Sequence, residues 1–306
     1  MSKRAVLITG PTGGLGRSAT LAMARRPDPP DLLLVGRPGN VLAQVAAEVR
    51  TAGATAHEIG CDLASLADVR AAAETVQELI KRGGSLRGLI ANAGVSVTDT
   101  RSASADGYEL TFAVNYLAHA QLIGDLLESF ATPARIVLVG SNTYYANWVR
   151  RLMTVPPADW RDPLELAKPA GADVSPTLKA AGTTYSNSKL AILYYALELQ
   201  RRAPEGISVA VFEPGFMPGT GLSRQHSPVV QRMGRGLQRL PGISSPVMSG
   251  PALASVTLDD RWAHLRDGDF VVVDKERDVR PIANDPGRER RLWDATAELL
   301  RTAGAG

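Results

Sequence analysis

Tyr185 and Lys189 are four residues apart, and this pair of side chains could transfer a proton. On a helix, residues at this spacing share one face. A free phenol has a pKa of about 10, which is too high for acid–base work at neutral pH, and a nearby ammonium lowers that pKa. Such a pair is suited to giving a proton to a carbonyl oxygen or taking one from an alcohol. Because the chain has seven tyrosines, a core tyrosine beside a surface lysine is the alternative.

A glycine-rich stretch near the N terminus, residues 9–16, could bind phosphate. The apolar run 5–8 before it predicts a buried strand, and the periodic segment 18–26 after it predicts a helix. Glycines between them permit a tight turn and close backbone approach, and the first N–H groups of the helix then face an anion. An ordinary glycine-rich turn is the alternative. We expect a dinucleotide pyrophosphate at Gly10, Thr12, Gly13, Gly14, Leu15 and Gly16.

The elements that must position these residues alternate along the chain. Short apolar runs predict buried strands at 5–8, 32–35, 55–59, 86–91, 135–139, 208–212 and 269–273. Periodic segments predict helices at 18–26, 41–52, 65–82, 106–130, 184–202, 249–258 and 285–301. The alternation predicts an α/β fold, a doubly wound parallel sheet with helices on both faces, as in the Rossmann fold. We expect one domain over residues 1–306.

One long stretch interrupts the alternation. Residues 142–181 contain five prolines and predict an insertion with little regular structure. The insertion enters directly before the helix that carries Tyr185.

Composition argues against several classes of protein. The single cysteine, Cys61, cannot form an intramolecular disulfide and fits a reducing compartment. The first strand begins almost at Met1, without a signal peptide, so we expect a cytoplasmic protein. A net charge of +3 argues against extensive nucleic-acid binding. No apolar run approaches the ~18 residues of a membrane span, and we expect neither a membrane anchor nor a metal site.

Six motifs occur in an order that resembles the short-chain dehydrogenase/reductase family. They are Thr9-Gly10-x-x-x-Gly14-x-Gly16, Asn92-Ala93-Gly94, Asn115, Ser141, Tyr185-x-x-x-Lys189 and Pro214-Gly215. The resemblance covers about residues 3–215. It is nearest to the branch of retinol dehydrogenases and protochlorophyllide reductase, because of segments 114–119 and 214–222 and the long gap before Tyr185. Phe216 stands where protochlorophyllide reductase has a cysteine, which argues against that photochemistry.

The resemblance implies a role for each catalytic residue. Tyr185 would be the general acid of a reduction, and Lys189 would hold the ribose hydroxyls of the cofactor. Ser141 would hydrogen-bond the substrate oxygen, and Asn115 would hold a water that links Lys189 to a proton relay. A strand-end serine and a satisfied interior amide are the alternatives for Ser141 and Asn115.

The resemblance also implies a nicotinamide cofactor, and the sequence favours NADP(H). After the second strand the chain offers Gly36-Arg37 and no acid to accept from a ribose 2′-OH, whereas an arginine can pair with a 2′-phosphate. Arg17 is a second candidate, and a solvated Arg37 is the alternative. Asp62 would meet the adenine, unless it only caps a turn. Further cofactor contacts would come from Leu63, Asn92, Ala93, Gly94, Pro214, Gly215, Phe216 and Thr220.

These expectations combine into an NADPH-dependent oxidoreductase that reduces a ketone or aldehyde, or oxidises the alcohol. The resemblance places a substrate lid at 216–246, where apolar residues and arginines interleave. Four aromatic residues of the insertion would form a wall near Ser141, and the combination suits a bulky hydrophobic molecule such as a secondary metabolite. The lid residues packing only onto their own domain are the alternative. The four aromatic residues are Tyr144, Tyr145, Trp148 and Trp160.

Two other functions remain open on the same fold. The glycine stretch also satisfies Thr-Gly-x-x-Gly-x-x-Gly, the spacing of the extended branch with its epimerases and dehydratases. A non-catalytic NADPH-binding regulator is the second alternative, although such proteins commonly lack the tyrosine and lysine pair. In related carbonyl reductases a comparable insertion covers the tetramer surface, so a monomer or dimer is favoured over a tetramer.

Overall fold

Eight strands in the described residues form one sheet that carries the rest of the molecule. The computed structural model describes residues 3–146, 156–217, 244–266 and 268–303. The spatial order of the strands is β3-β2-β1-β4-β5-β6-β7-β8, and β1 to β7 run parallel. The predicted doubly wound fold is therefore confirmed. The strands are β1 (Lys3–Thr9), β2 (Asp31–Gly36), β3 (Ala56–Gly60), β4 (Gly84–Ala91), β5 (Phe130–Val139), β6 (Ile207–Glu213), β7 (Asp269–Val272) and β8 (Lys275–Arg277).

The edge strand β8 corrects the prediction of an entirely parallel sheet. It pairs with β7 in antiparallel fashion, with Arg277 opposite Phe270. All three of its residues are exposed, and none is apolar, so hydrophobic periodicity gives no signal for it. A short, charged strand at an edge discourages pairing with another chain.

Helices cover both faces of this sheet. The helices α1, α2 and α8 share one core with Ile8, whereas α3, α5, α7 and α9 share the opposite core with Leu7. Because successive residues of a strand point to opposite faces, β1 contributes to both cores. The helices are α1 (Gly14–Ala24), α2 (Asn40–Thr51), α3 (Leu66–Lys81), α4 (Leu110–Phe112), α5 (Ala118–Leu126), α6 (Pro163–Leu166), α7 (Leu178–Arg202), α8 (Pro246–Leu258) and α9 (Pro286–Thr302).

The order of the strands reverses between β1 and β4. The chain goes from β1 to β2 on one side and from β4 to β5 on the other. Such a reversal opens a crevice at the carboxyl ends of the two strands, where open α/β sheets bind ligands. The glycine-rich stretch follows β1, and Asn92-Ala93-Gly94 follows β4, so both border the crevice.

Two helices differ from their predicted forms. Helix α7 begins at Leu178 rather than 184, because Thr177 Oγ1 accepts the Ala180 N–H at 3.0 Å and caps it. The insertion therefore ends at about residue 177 rather than 181. The predicted helix 106–130 is divided by a π-helical segment, Ala113–Leu117, which apolar spacing does not reveal.

The C-terminal helix α9 covers the outer face of α7. Trp293 stacks on the ring of Tyr195, with 5.5 Å between centroids and 13° between planes. The buried Glu289 carboxylate binds Arg201, and Thr296 shares a hydrogen bond with the Tyr116 hydroxyl. The chain therefore supplies its own cover for the surface that the insertion alone was expected to block.

The described part of the insertion extends this cover. Trp160 meets the ring of Tyr194 edge-on, with 4.8 Å between centroids. Asp162 caps α6 and accepts two hydrogen bonds from Arg291 of α9, at 2.7 and 2.9 Å. The insertion and α9 thus form one layer over α7.

We expect the full chain to be a monomer and a chain ending at Asn284 to lose stability and self-associate. The truncation removes the buried side chains of Leu292 and Leu299, each worth about 1.5–3 kcal/mol when fully buried, and uncovers α7. Light scattering and thermal unfolding measure both effects. A chain ending at Thr302, which keeps all of α9, is the control. A full-length tetramer at micromolar concentration would contradict the monomer.

Candidate active site

The glycine-rich stretch turns directly from β1 into α1. Gly10 has φ +64°, and a Cβ on it would lie 3.0 Å from Ala93 Cβ. A Cβ on Gly16 would clash with the Gly10 carbonyl oxygen and would lie 2.5 Å from Asn92 Nδ2. Helix α1 starts at Gly14 after the N-cap Gly13, which has no side chain to occupy the first N–H groups. This cradle fits the pyrophosphate of a dinucleotide, because phosphate binds open helix N-termini that a backbone approaches closely.

Asn92 joins the end of β4 to this stretch. Its Nδ2 donates to the carbonyl oxygens of Thr9 and Gly10, at 2.8 and 3.1 Å. The backbone N–H groups of Asn92 and Ala93 both donate to Thr9 Oγ1 at 3.0 Å. These four bonds hold the end of β4 against the end of β1.

Lys189 is buried against the end of β5. Its Nζ donates to the carbonyl oxygen of Val139 at 2.8 Å and lies 5.6 Å from the ring centroid of Tyr185. Burial lowers the pKa of Lys189 to about 8, and the carboxylate of Glu213 acts in the opposite direction. Because Val139 is two residues before Ser141, this bond brings Tyr185, Lys189 and Ser141 to the carboxyl end of one strand.

Glu213 is a site residue that the sequence analysis did not single out. It is the last residue of β6 and is 3% exposed. Its charge favours the protonated form of Lys189. Burial raises the pKa of Tyr144, and the Glu213 charge adds a smaller effect in the same direction. An acidic residue that ends an apolar strand directly before Pro214-Gly215 was the signal in the sequence.

Asn115 lies in the π-helical segment and is completely buried. Its Oδ1 accepts the Val95 N–H at 2.7 Å, and its Nδ2 donates to Val95 O at 2.9 Å and to Ser188 Oγ at 3.0 Å. Ser188 is the neighbour of Lys189 on α7. The side chain therefore links the loop after β4, the π-helical segment and α7.

Ser141 follows β5 and opens a short 3₁₀ turn, Asn142–Tyr144. Its Oγ accepts the Thr143 N–H at a long 3.4 Å, and the side chain is half-buried. The hydroxyl hydrogen remains available for a substrate oxygen.

The expected aromatic wall beside Ser141 is largely absent from the described residues. Tyr144 is buried, and its hydroxyl accepts the Arg280 N–H at 3.0 Å. Trp160 is partly buried, and its ring packs edge-on against Tyr194 of α7. Tyr145 is partly exposed, under the guanidinium of Arg280. Trp148 lies outside the described residues.

The expected adenine and 2′-phosphate contacts lie around the ends of β2 and β3. Arg37 is exposed and has no ion-pair partner in the part of the chain that the structure describes. Arg17 is held by Glu48 of α2, at 2.6 and 2.7 Å, so it is committed to an ion pair. Asp62 is exposed, and its Oδ1 accepts the Ala64 N–H at 3.0 Å, so it does cap a turn. Leu63 is buried beside it.

The nicotinamide side of the expected site is described only in part. Gly215 has φ +78°, and the Pro214 carbonyl accepts from Ser249 Oγ at 2.7 Å. Phe216 is 42% exposed. Thr220 and most of the expected lid 216–246 lie outside the described residues.

Comparison with known proteins now identifies the family. The model of the family described as short chain dehydrogenase matches residues 4–150. In an alignment 327 positions long, the chain is 30% identical to protochlorophyllide reductase A of Oryza sativa subsp. japonica. The alignment covers 96% of this chain and 80% of that one. The chain belongs to the short-chain dehydrogenase/reductase family. It is therefore an oxidoreductase by family, and the expected likeness to the protochlorophyllide reductase branch is confirmed.

Two further comparisons agree with this family. The chain is 30% identical over 305 residues to a putative daunorubicin C-13 ketoreductase of Streptomyces sp. (strain C5), covering 97% of this chain and 92% of that one. A short chain dehydrogenase of Burkholderia cenocepacia J2315, solved in complex with NADP, has a TM-score of 0.64 and 20% identity. The match covers 90% of this chain and 97% of that one. At this identity it supports the fold.

None of the helices in the described residues is both long and apolar enough to cross a membrane. Within the same residues, no three histidine, cysteine or acidic side chains are grouped so that they could hold a metal ion.

We expect Gly16→Ala to destabilise the protein by about 1–3 kcal/mol, the usual cost of overpacking. The new methyl group would meet the Gly10 carbonyl and the hydrogen-bonded Asn92 amide, so α1 would have to shift. Gly124→Ala in α5 is the matched control, because its Cβ meets nothing within 4 Å. That control should gain up to about 1 kcal/mol from helix propensity. Urea unfolding measures both, and equal stability of Gly16→Ala and the natural protein would refute the close approach.

Proposed function

We propose that this protein is an NADPH-dependent oxidoreductase that reduces a ketone or aldehyde, or oxidises the corresponding alcohol. One observation carries the proposal: Lys189 is anchored to the Val139 carbonyl directly beneath the ring of Tyr185, at the strand end that leads to Ser141. A buried ammonium beside a phenol serves no packing purpose, because burying a charge is costly. It does serve acid–base chemistry on an oxygen.

Different residues would bind different parts of the dinucleotide. The N–H groups at Gly13, Gly14 and Leu15 would hold the pyrophosphate, and Arg37 the 2′-phosphate. Asp62 and Leu63 would border the adenine, and Asn92, Ala93 and Gly94 would form the floor between the two halves. Pro214, Gly215, Phe216 and Thr220 would border the nicotinamide. The bound dinucleotide supplies the hydride.

The proton comes from the protein. Ser141 Oγ–H donates a hydrogen bond to the carbonyl oxygen of the substrate and holds it beside Tyr185. The Tyr185 hydroxyl gives its proton to that oxygen as the alcohol forms, and the Lys189 ammonium stabilises the phenolate that is left. The Asn115 carbonyl holds the water through which the proton of Tyr185 is replaced.

A bulky, hydrophobic small molecule is the substrate class that we propose. Phe216 presents an exposed ring at the end of β6, and Tyr145 presents part of its ring after Ser141. The relative from Streptomyces is named for a ketoreductase acting at C-13 of daunorubicin. Tyr144 is buried, and Trp160 is partly buried against Tyr194, which removes part of the aromatic surface that favoured this class. The proposal now rests on Phe216 and Tyr145.

The two alternative functions are less well supported. A non-catalytic regulator does not need a desolvated lysine beneath a tyrosine. An epimerase or dehydratase of the extended branch would return its cofactor unchanged, so net consumption of NADPH separates it from a reductase.

A panel of ketones and aldehydes with NADPH tests the proposed function. We expect oxidation of NADPH with polycyclic or long-chain ketones, and better kcat/KM for these than for small polar carbonyls. Tyr185→Phe should lower kcat by about a hundredfold or more, the usual worth of a general acid, and leave NADPH affinity within about twofold. Full activity of Tyr185→Phe would mean that another group is the acid. Better turnover of small polar carbonyls would refute the substrate class.

We expect NADPH to be preferred over NADH, and Arg37→Asp to reverse or abolish the preference. The substitution removes a charge-assisted pair with the 2′-phosphate and adds repulsion, which should lower kcat/KM for NADPH by about tenfold or more. Arg82→Asp is the control. It makes the same change of charge between α3 and the start of β4, and it should leave kcat/KM for NADPH and for NADH unchanged. Equal kcat/KM for the two cofactors in the natural protein would contradict the assignment.

A further inference from the structure

His119 connects the two halves of the candidate site, although it takes no part in the proposed chemistry. It lies on α5, one turn after Asn115, and is 3% exposed. Its Nε2 is 2.9 Å from Thr9 Oγ1, at the end of β1, and its Nδ1 is 3.1 Å from the Asn115 carbonyl oxygen. One ring therefore bridges residues 9 and 115.

The hydrogen bonds around Thr9 fix the tautomer of this ring. Thr9 Oγ1 already accepts two N–H groups, from Asn92 and Ala93. A hydroxyl has two lone pairs and one hydrogen, so Thr9 can only donate to His119. Nε2 of His119 is then the acceptor and carries no hydrogen. Nδ1 carries the hydrogen and donates it to the Asn115 carbonyl.

The surroundings keep the ring neutral. The pKa of His119 is lowered to about 4, mainly by burial and also by the nearby charge of Lys189, although the bond to the Asn115 carbonyl acts in the opposite direction. A proton on Nε2 would also leave the Thr9 hydroxyl hydrogen without an acceptor. A neutral ring adds no second positive charge beside Lys189.

We propose that His119 is a positioning residue which, as a fixed Nδ1–H tautomer, holds the Asn115 carbonyl to the strand end that carries the cofactor loop. The Thr9 half of the bridge supports the cofactor floor that Asn92 and Ala93 form. The Nδ1 half occupies one lone pair of the Asn115 carbonyl and leaves the other for the relay water. The assignment of the second half rests on the proposed function of Asn115.

Nuclear magnetic resonance tests the tautomer without any enzymatic activity. The chain has four histidines, so ¹⁵N-labelled imidazoles give four sets of signals, and His119→Gln assigns the one that disappears. At pH 7 we expect a His119 ring with a protonated Nδ1 and an unprotonated Nε2. An Nε2–H tautomer, or an imidazolium, would overturn the proposal whether or not the protein reduces carbonyls.

Two substitutions separate the two ends of the bridge. His119→Asn keeps a donor near the Nδ1 position but cannot reach Thr9. His119→Gln places an amide near the Nε2 position, where its oxygen can accept from Thr9, but has nothing at Nδ1. We expect His119→Asn to weaken NADPH binding by about tenfold with kcat nearly kept, and His119→Gln to lower kcat by about tenfold with NADPH affinity nearly kept.

Control variants distinguish this bridge from a general loss of packing. Thr9→Val removes the hydroxyl that His119 meets and also the acceptor of the Asn92 and Ala93 N–H groups, so it should weaken NADPH binding at least as much as His119→Asn. His57→Asn, on strand β3 away from the site, should change neither value. If His119→Asn and His119→Gln lower kcat and NADPH affinity alike, the ring only fills space and the proposal is wrong. NADPH titrations need no turnover, so failure of the proposed reaction would leave the Thr9 half of the test intact.

Discussion

The junction between the ends of β1 and β4 is the constraint on which the site depends. Thr9 and Asn92 lie on neighbouring strands that are distant in sequence, and four hydrogen bonds from Asn92 and Ala93 join them through Thr9 and Gly10. The close approach of Gly16 to Gly10 depends on the same geometry, because the Asn92 amide occupies the space beside it. A fixed loop matters because a phosphate bound by backbone N–H groups gains most when those groups are already in place. Polar contacts between the two strand ends thus hold in place the loop that borders the crevice.

A buried charge is the second constraint. The Lys189 ammonium has little contact with water. It is stabilised by a hydrogen bond to the Val139 carbonyl and by the negative charge of the Glu213 carboxylate. Val139 is the last residue of β5 and Glu213 is the last residue of β6, so the sheet places both groups near the buried ammonium. The π-helical segment contributes to the same region, because the Asn115 side chain binds Val95 and Ser188 and the Asn115 carbonyl accepts from His119. Polar side chains that hydrogen bonds already hold in place are typical of preorganised acid–base sites.

The outer layer shows how the chain protects α7. Helix α9 and the described part of the insertion lie over α7, with Trp293 on Tyr195 and Trp160 on Tyr194. The pair of Asp162 and Arg291 ties the two parts of this layer together. Because α7 carries Tyr185 and Lys189, the layer packs against the helix that positions the proposed acid and its lysine.

The sequence by itself determined the fold class, the place of the glycine-rich stretch, Asn92 and Ser141 directly after strands, and the common helix of Tyr185 and Lys189. Alternating apolar runs, glycine at the first turn and the spacing of Tyr185 and Lys189 are local patterns, and local patterns predict strands, turns and helix faces. The sequence did not reveal β8, whose three residues are charged, or the π segment at Asn115, which changes the helical repeat without changing composition. Only the tertiary structure decided that Tyr144 is buried and Trp160 packs on Tyr194, that Arg17 is committed to Glu48, and that Glu213 acts on Lys189. It alone placed His119 between Thr9 and Asn115. These contacts join residues far apart in the chain, and the packing of helices on a twisted sheet, which no single stretch of sequence encodes, selects the partners.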